Sequence, residues 1–75
     1  MTRPEDLVAR TFGVPPSVVT DTTSNQSLAE WDSLGHITLL MELESTYGVT
    51  LSPEESMQVT SVAAIKKLLA DRGMA

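Results

Sequence analysis

The chain has no cysteine, and its 75 residues include one histidine, one tryptophan, one tyrosine and one phenylalanine. Without cysteine there is no disulfide, no thiolate metal site and no cysteine nucleophile. A lone histidine with no cluster around it argues against structural zinc, so no metal site is expected. Basic residues are also scarce: five Lys and Arg stand against ten Asp and Glu, a net charge of −5. Nucleic-acid binding needs clustered cations to neutralise phosphates, so that class is excluded. The charge suits partners with basic surfaces, whose attraction speeds encounter more than it tightens a complex. Long apolar runs are missing too, and nothing resembles a signal peptide. A protein with no membrane span, located in the cytoplasm, is expected. No P-loop or EF-hand loop is present.

What is there is enough for one small domain, residues 1–75, near the lower size limit for folding without staples. A core of this size supplies roughly 3–5 kcal/mol, so helix caps have to contribute. Thr2-Arg3-Pro4-Glu5 reads as a helix start with Thr2 as cap. Leu7, Val8, Thr11 and Phe12 then recur at helical spacing up to Gly13, which predicts a helix over residues 3–12. Pro15-Pro16 forbids its continuation, although Pro16 to Val19 suits one helical turn. The polar run Thr20–Ser27 is a loop by composition, pinned to the core by Val18, Val19 and Leu28. So long a loop in so small a domain suggests a function.

The strongest helix runs from Ser33 to Tyr47 and is closed by Gly48. Spaced at about 100° per residue, it carries two apolar faces instead of one. Leu39, Leu40, Leu43 and Tyr47 form the core face, with His36 among them. Leu34, Ile37 and Met41 form a second stripe, edged by Glu42 and Glu44. An amphipathic helix needs only the first face, so the second packs under another segment or meets a partner. Ser52-Pro53-Glu54-Glu55 is a capping box opening a short helix to Met57 or Gln58. Ser61 caps a last helix carrying Val62, Ile65, Leu68 and Leu69, ended by Gly73. No segment alternates as a strand would. The fold class is therefore all-α: three main helices, one short helix and a long first loop.

The organising stretch is Glu30-Trp31-Asp32-Ser33-Leu34-Gly35-His36. A serine at a helix start has a plain reading, in which its hydroxyl caps an unpaired N–H of the first turn. Ser33 and His36 also suggest a nucleophile and base with Asp32 or Glu30 as orienter. That reading fails, because helical geometry turns His36 towards the core and so small a domain hardly encloses a substrate cleft. A third reading makes Ser33 the attachment point of a phosphate-linked group. Free N–H groups and the helix dipole favour an anion there.

Asp32-Ser33-Leu34, near the middle of a small acidic helical chain, resembles the attachment motif of acyl carrier proteins. The tripeptide alone is common. In register with it, however, the family's layout recurs over essentially the whole chain. The long second helix falls at Ser33–Tyr47 and ends on an aromatic residue, the short third helix at Pro53–Met57, and the entry to the last at Val59-Thr60-Ser61-Val62. The resemblance implies a four-helix acyl-carrier-like bundle whose serine bears 4′-phosphopantetheine, transferred from coenzyme A by a phosphopantetheinyl transferase. An acyl or aminoacyl group is then held as a thioester on the arm, so the thiol that the chain lacks arrives with the cofactor. Carried over by position, Ser33 is the attachment site and Asp32 helps position the transferase chemistry. Leu34, Ile37 and Met41, with Glu42 and Glu44, would meet partners. These are the transferase, an acyl- or aminoacyl-loading enzyme, and a downstream acyltransferase, synthase or tailoring enzyme.

On this reading the chain is a free-standing monomeric carrier and a substrate of enzymes, not an enzyme itself. Two departures bear on its pathway. Fatty acid synthesis carriers have a strongly acidic second helix, which Gly35, His36, Thr38 and Ser45 dilute here. Trp31 before the motif and Gly35-His36 after it look more like discrete carriers of polyketide, nonribosomal or other specialised pathways. A long cargo would need a compliant interior lined by Leu39, Leu43, Ile65 and Leu68. The alternatives are an unmodified helical interaction module using the Leu34/Ile37/Met41 stripe, and a carrier for fatty acid synthesis.

Overall fold

A computed structural model describes residues 2–74 of the chain. The elements among them are α1 (Pro4–Phe12), a 3-10 turn (Pro16–Val18), α2 (Ser33–Tyr47), α3 (Pro53–Gln58) and α4 (Val62–Asp71). No strand forms among the described residues; a single isolated bridge joins Ser24 to Ser61. The helical bundle expected from the sequence is what the chain adopts.

Helix α1 lays Leu7, Val8 and Ala9 against α2 and α4. Its cap differs from expectation. Arg3 occupies the cap position and no side chain caps the helix, so Thr2 lies one residue too early. Pro4 at the first helical position has no N–H to satisfy, which reduces the need for a cap. The carbonyl of Thr2 instead accepts a 2.7 Å hydrogen bond from the Tyr47 hydroxyl, tying the start of the chain to the end of α2. Helix α2 stops at Gly48, whose φ of 65° belongs to the left-handed region that glycine enters without penalty. Capping works as expected in α3, where Ser52 and Glu55 form a reciprocal box, and in α4, where the Ser61 side chain accepts from the Ala64 N–H.

The core combines Leu39, Leu43 and Tyr47 from α2 with Val62, Ile65, Leu68 and Leu69 from α4 and the α1 triplet. Val59, in the link after α3, is fully buried beside them. The long loop is anchored to this frame mainly by backbone. Thr23 and Asp21 carbonyls accept from the Val62 and Ala63 N–H groups, and the Asn25 N–H donates to the Thr60 carbonyl. Loop carbonyls thereby satisfy first-turn donors of α4 that would otherwise be orphaned. Of the apolar anchors expected in the loop, Val19 is buried and Leu28 half-buried, but Val18 is exposed. Sitting at the end of the 3-10 turn, Val18 projects outward while its neighbour turns in. Trp31 is the deepest anchor of the loop, at 2% exposure.

Lys66 joins three segments, donating from Nζ to Glu5 of α1 at 2.9 Å and to Asp21 of the loop at 2.6 Å. This contact, a second hydrogen bond from Arg3 and the Glu5 backbone N–H hold the Glu5 carboxyl well below the usual range, at about 2. The two partners raise the Lys66 ammonium in return. At the opposite edge Arg72 grips Glu55 at 2.6 Å and the Thr50 carbonyl at 3.0 Å, fixing α3 to the end of α4. The Ser52 N–H, followed by Arg72, lowers the Glu55 carboxyl.

Candidate functional site

Ser33 is the first residue of α2 and exposed, but it does not cap the helix. The cap is Asp32, whose Oδ1 accepts from the Gly35 N–H at 2.8 Å while its carbonyl accepts from the His36 N–H at 2.8 Å. Extended dihedrals at Asp32, φ −92° and ψ −170°, aim its side chain back over the first turn. The cap moves one residue because aspartate, the better acceptor, reaches the donors first. The Ser33 hydroxyl is left with no hydrogen-bond partner among the described residues. The N–H groups of Ser33 and Leu34 also remain without one.

The backbone leading into the serine depends on Gly35. A Cβ there would run into the carbonyl oxygen of Glu30 and come within 2.8 Å of the Phe12 ring and 3.2 Å of Asp32 Oδ1. Only a glycine lets the Glu30–Asp32 segment lie this close across α2. Phe12 is held in turn by Trp31, the two rings stacking at 5.4 Å between centroids and 29° between planes. The motif therefore rests on a platform of α1 and loop aromatics.

His36 is placed on the core side, as its angular position predicts, and both ring nitrogens are engaged. Its Nδ1 accepts from Trp31 Nε1 at 3.1 Å, and Nε2 meets the Ser56 carbonyl of α3 at 3.0 Å. An indole N–H only donates, so Nδ1 carries no proton and Nε2 is the donor to Ser56. With both nitrogens committed, His36 cannot serve Ser33 as a base, and the nucleophile–base reading is set aside on geometry.

Beside Ser33 opens a groove of about 520 Å³, lined by Asn25, Trp31, Asp32, Ser33, His36, Met57 and Thr60. Asn25, Met57 and Thr60 are brought there by the long loop, by α3 and by the turn from α3 into α4 respectively; nothing in their local sequence marks them. Of the four residues considered from the sequence as cargo lining, Leu39, Leu43 and Ile65 are fully buried and Leu68 is buried, and none of them lines this groove.

The second apolar stripe of α2 is open to solvent, with Leu34 at 74%, Ile37 at 55% and Met41 at 65% exposure. Its acidic edges are committed within the domain. Glu42 pairs with Arg10 at 3.2 Å, and Glu44 accepts from the Leu51 N–H at 2.9 Å. No group of acidic and histidine side chains suited to a metal occurs among the described residues. No helix among them is long and apolar enough to cross a membrane.

The chain is also similar to known proteins. Residues 5–69 match a family model described as a phosphopantetheine attachment site. An acyl carrier protein of Rubrobacter xylanophilus is 36% identical over 58 residues, which cover 77% of this chain and 72% of that protein.

Proposed function

For a chain that belongs to the acyl carrier protein family, and so bears a covalent 4′-phosphopantetheine, we propose that Ser33 is the residue of attachment. The observation that carries this assignment is the free Ser33 hydroxyl at the start of α2, relieved of capping by Asp32. The residues present fit the group. Ser33 and Leu34 offer N–H donors to a phosphate at the positive end of a helix, and the groove gives the arm room to lie. When bound, the arm supplies a thiol on which an acyl or aminoacyl group is held as a thioester.

The chain's own contribution is positioning. Asp32 spends one carboxylate oxygen on the Gly35 N–H, and its other oxygen is the one assigned here to the transfer chemistry. The Gly35 contact and the Trp31–Phe12 stack keep Ser33 at the surface on a rigid support. Leu34, Ile37 and Met41 form the face that partner enzymes grip, directly beside the attachment point. Those partners comprise the phosphopantetheinyl transferase, a loading enzyme and a downstream acyltransferase, synthase or tailoring enzyme.

The pathway we favour is specialised biosynthesis, polyketide or nonribosomal in type, over general fatty acid synthesis. Only Glu42 and Glu44 among the α2 residues are acidic, and both are already engaged inside the domain. A partner that reads a strongly acidic second helix would find little to hold.

The test is an intact-mass measurement after incubation with a broad-specificity phosphopantetheinyl transferase and coenzyme A. Wild-type protein should gain one phosphopantetheine unit, and Ser33→Ala should gain none. An unmodified wild type, or a modified Ser33→Ala, would refute the assignment.

A further inference from the structure

The Trp31–His36–Ser56 hydrogen-bonded chain has a consequence for cargo, given attachment at Ser33 as proposed above. Residues three and four apart share a helix face, so Ser33, His36, Leu39 and Leu40 follow one another along the side of α2 that leads inward. His36 therefore stands between the attachment point and the apolar interior that begins at Leu39. Its ring also bridges the gap to α3 through Ser56 and to the loop through Trp31. Behind it Leu39, Leu43 and Val59 are fully buried against one another.

An acyl chain passing from Ser33 into the core would have to push this ring aside. That would strip partners from the Trp31 indole N–H and both imidazole nitrogens, and would leave the Ser56 carbonyl only its long 3.4 Å bond from the Val59 N–H. Hydrocarbon offers them none in exchange, and unsatisfied buried polar groups are costly. In the groove outside, by contrast, Asn25, Asp32 and Thr60 present polar groups that a short or polar acyl group could meet.

We propose that the Trp31–His36–Ser56 chain is a polar latch that keeps acyl cargo out of the interior. His36 thereby determines specificity, restricting the domain to short or polar acyl groups held in the open groove beside Ser33. The inference rests on Ser33 being the attachment residue but makes its own demand on what the loaded domain does.

The experiment loads the full chain with acetyl- or octanoyl-phosphopantetheine, using the transferase and the matching acyl-coenzyme A. Intact mass confirms loading before anything else is read, so failure to load overturns the Ser33 reading and is recognised separately. Hydrogen–deuterium exchange at the Leu39, Leu43 and Ile65 amides and the rate of thioester cleavage by hydroxylamine are then compared. In the wild type the two cargoes should give the same exchange and cleavage. In His36→Leu the octanoyl form should be protected about tenfold over the acetyl form, the scale of one lost hydrogen-bonded pair. Trp31→Phe keeps a ring to stack on Phe12 while removing the indole donor along with part of the ring volume, so it serves even if His36→Leu does not fold. Octanoyl protection should rise in it as well. Strong octanoyl protection in the wild type, or a Trp31→Phe protein that behaves as wild type, would overturn the latch.

Discussion

Replacing Gly35 with alanine sets two physical effects against each other, and the structure decides the sign. Helix propensity favours the substitution by up to about 1 kcal/mol, because glycine is a poor helix former. Against it, the new Cβ meets the Glu30 carbonyl oxygen far inside contact distance, with Phe12 Cε1 at 2.8 Å and Asp32 Oδ1 at 3.2 Å. Phe12 could swing away only by leaving its stack on Trp31. Glu30 is backbone and can yield only by moving the segment that carries Asp32. Overpacking of this kind costs about 1–3 kcal/mol, and weakening the Asp32 cap adds about 1 kcal/mol. The net expectation is a destabilisation of about 1–3 kcal/mol once the propensity gain is subtracted. That is a large share of the roughly 3–5 kcal/mol a domain of this size commands. It corresponds to about 4–8 °C in Tm per kcal/mol. Thermal and urea unfolding followed by far-UV circular dichroism would measure it. Ser45→Ala on the exposed side of the same helix supplies the propensity gain without the clash and should raise Tm slightly. A Gly35→Ala protein as stable as the wild type, or more so, would refute the packing argument.

Other expectations concern pH and the docking face. Glu5 has its carboxyl lowered from 4.5 to about 2, so its contribution is present above about pH 4.5 and lost as the pH falls towards 2. Solvent screening reduces it to on the order of 1 kcal/mol. Glu5→Gln should flatten the acid limb of a urea-midpoint-against-pH curve, leaving a smaller slope from Glu55, which is lowered too. An unchanged acid limb would count against the Lys66–Glu5 contact. At the alkaline end the signs reverse. Tyr47 is raised above 10.0 by burial and then by Glu5, and Lys66 above 10.5 by Asp21 and Glu5, so their stabilisation is lost as pH climbs past those values. Met41→Glu, at a site 65% exposed, should leave stability within about 0.5 kcal/mol of wild type. It should nonetheless raise the KM for the phosphopantetheinyl transferase severalfold; an unchanged KM would remove Met41 from the partner face.

Much of this domain is legible along the chain because its signals are local. Gly48, the Ser52–Glu55 box and the Ser61 cap mark helix ends through hydrogen bonds spanning three or four residues. The spare stripe of Leu34, Ile37 and Met41 is legible for the same reason, since helical geometry alone separates it from the core face. Where the cap falls among Thr2, Arg3, Asp32 and Ser33 is harder to read. Neighbouring polar residues compete for the same donors, and the entering backbone chooses between them.

The sequence by itself determined an all-helical domain with a serine opening its longest helix, since periodicity and capping residues need no partner to be read, and the resemblance carried by its motif marked it as a carrier. Only the tertiary structure decided how that serine is presented. Asp32 takes the cap and frees Ser33, Gly35 admits the Glu30 carbonyl, and Lys66 gathers Glu5 and Asp21 from two other segments. His36, already turned towards the core by helical geometry, becomes a strut between Trp31 and Ser56. Such contacts join residues up to 61 positions apart, as Glu5 and Lys66 are. They exist only once the helices have packed, because no local pattern records which distant atom a side chain will meet.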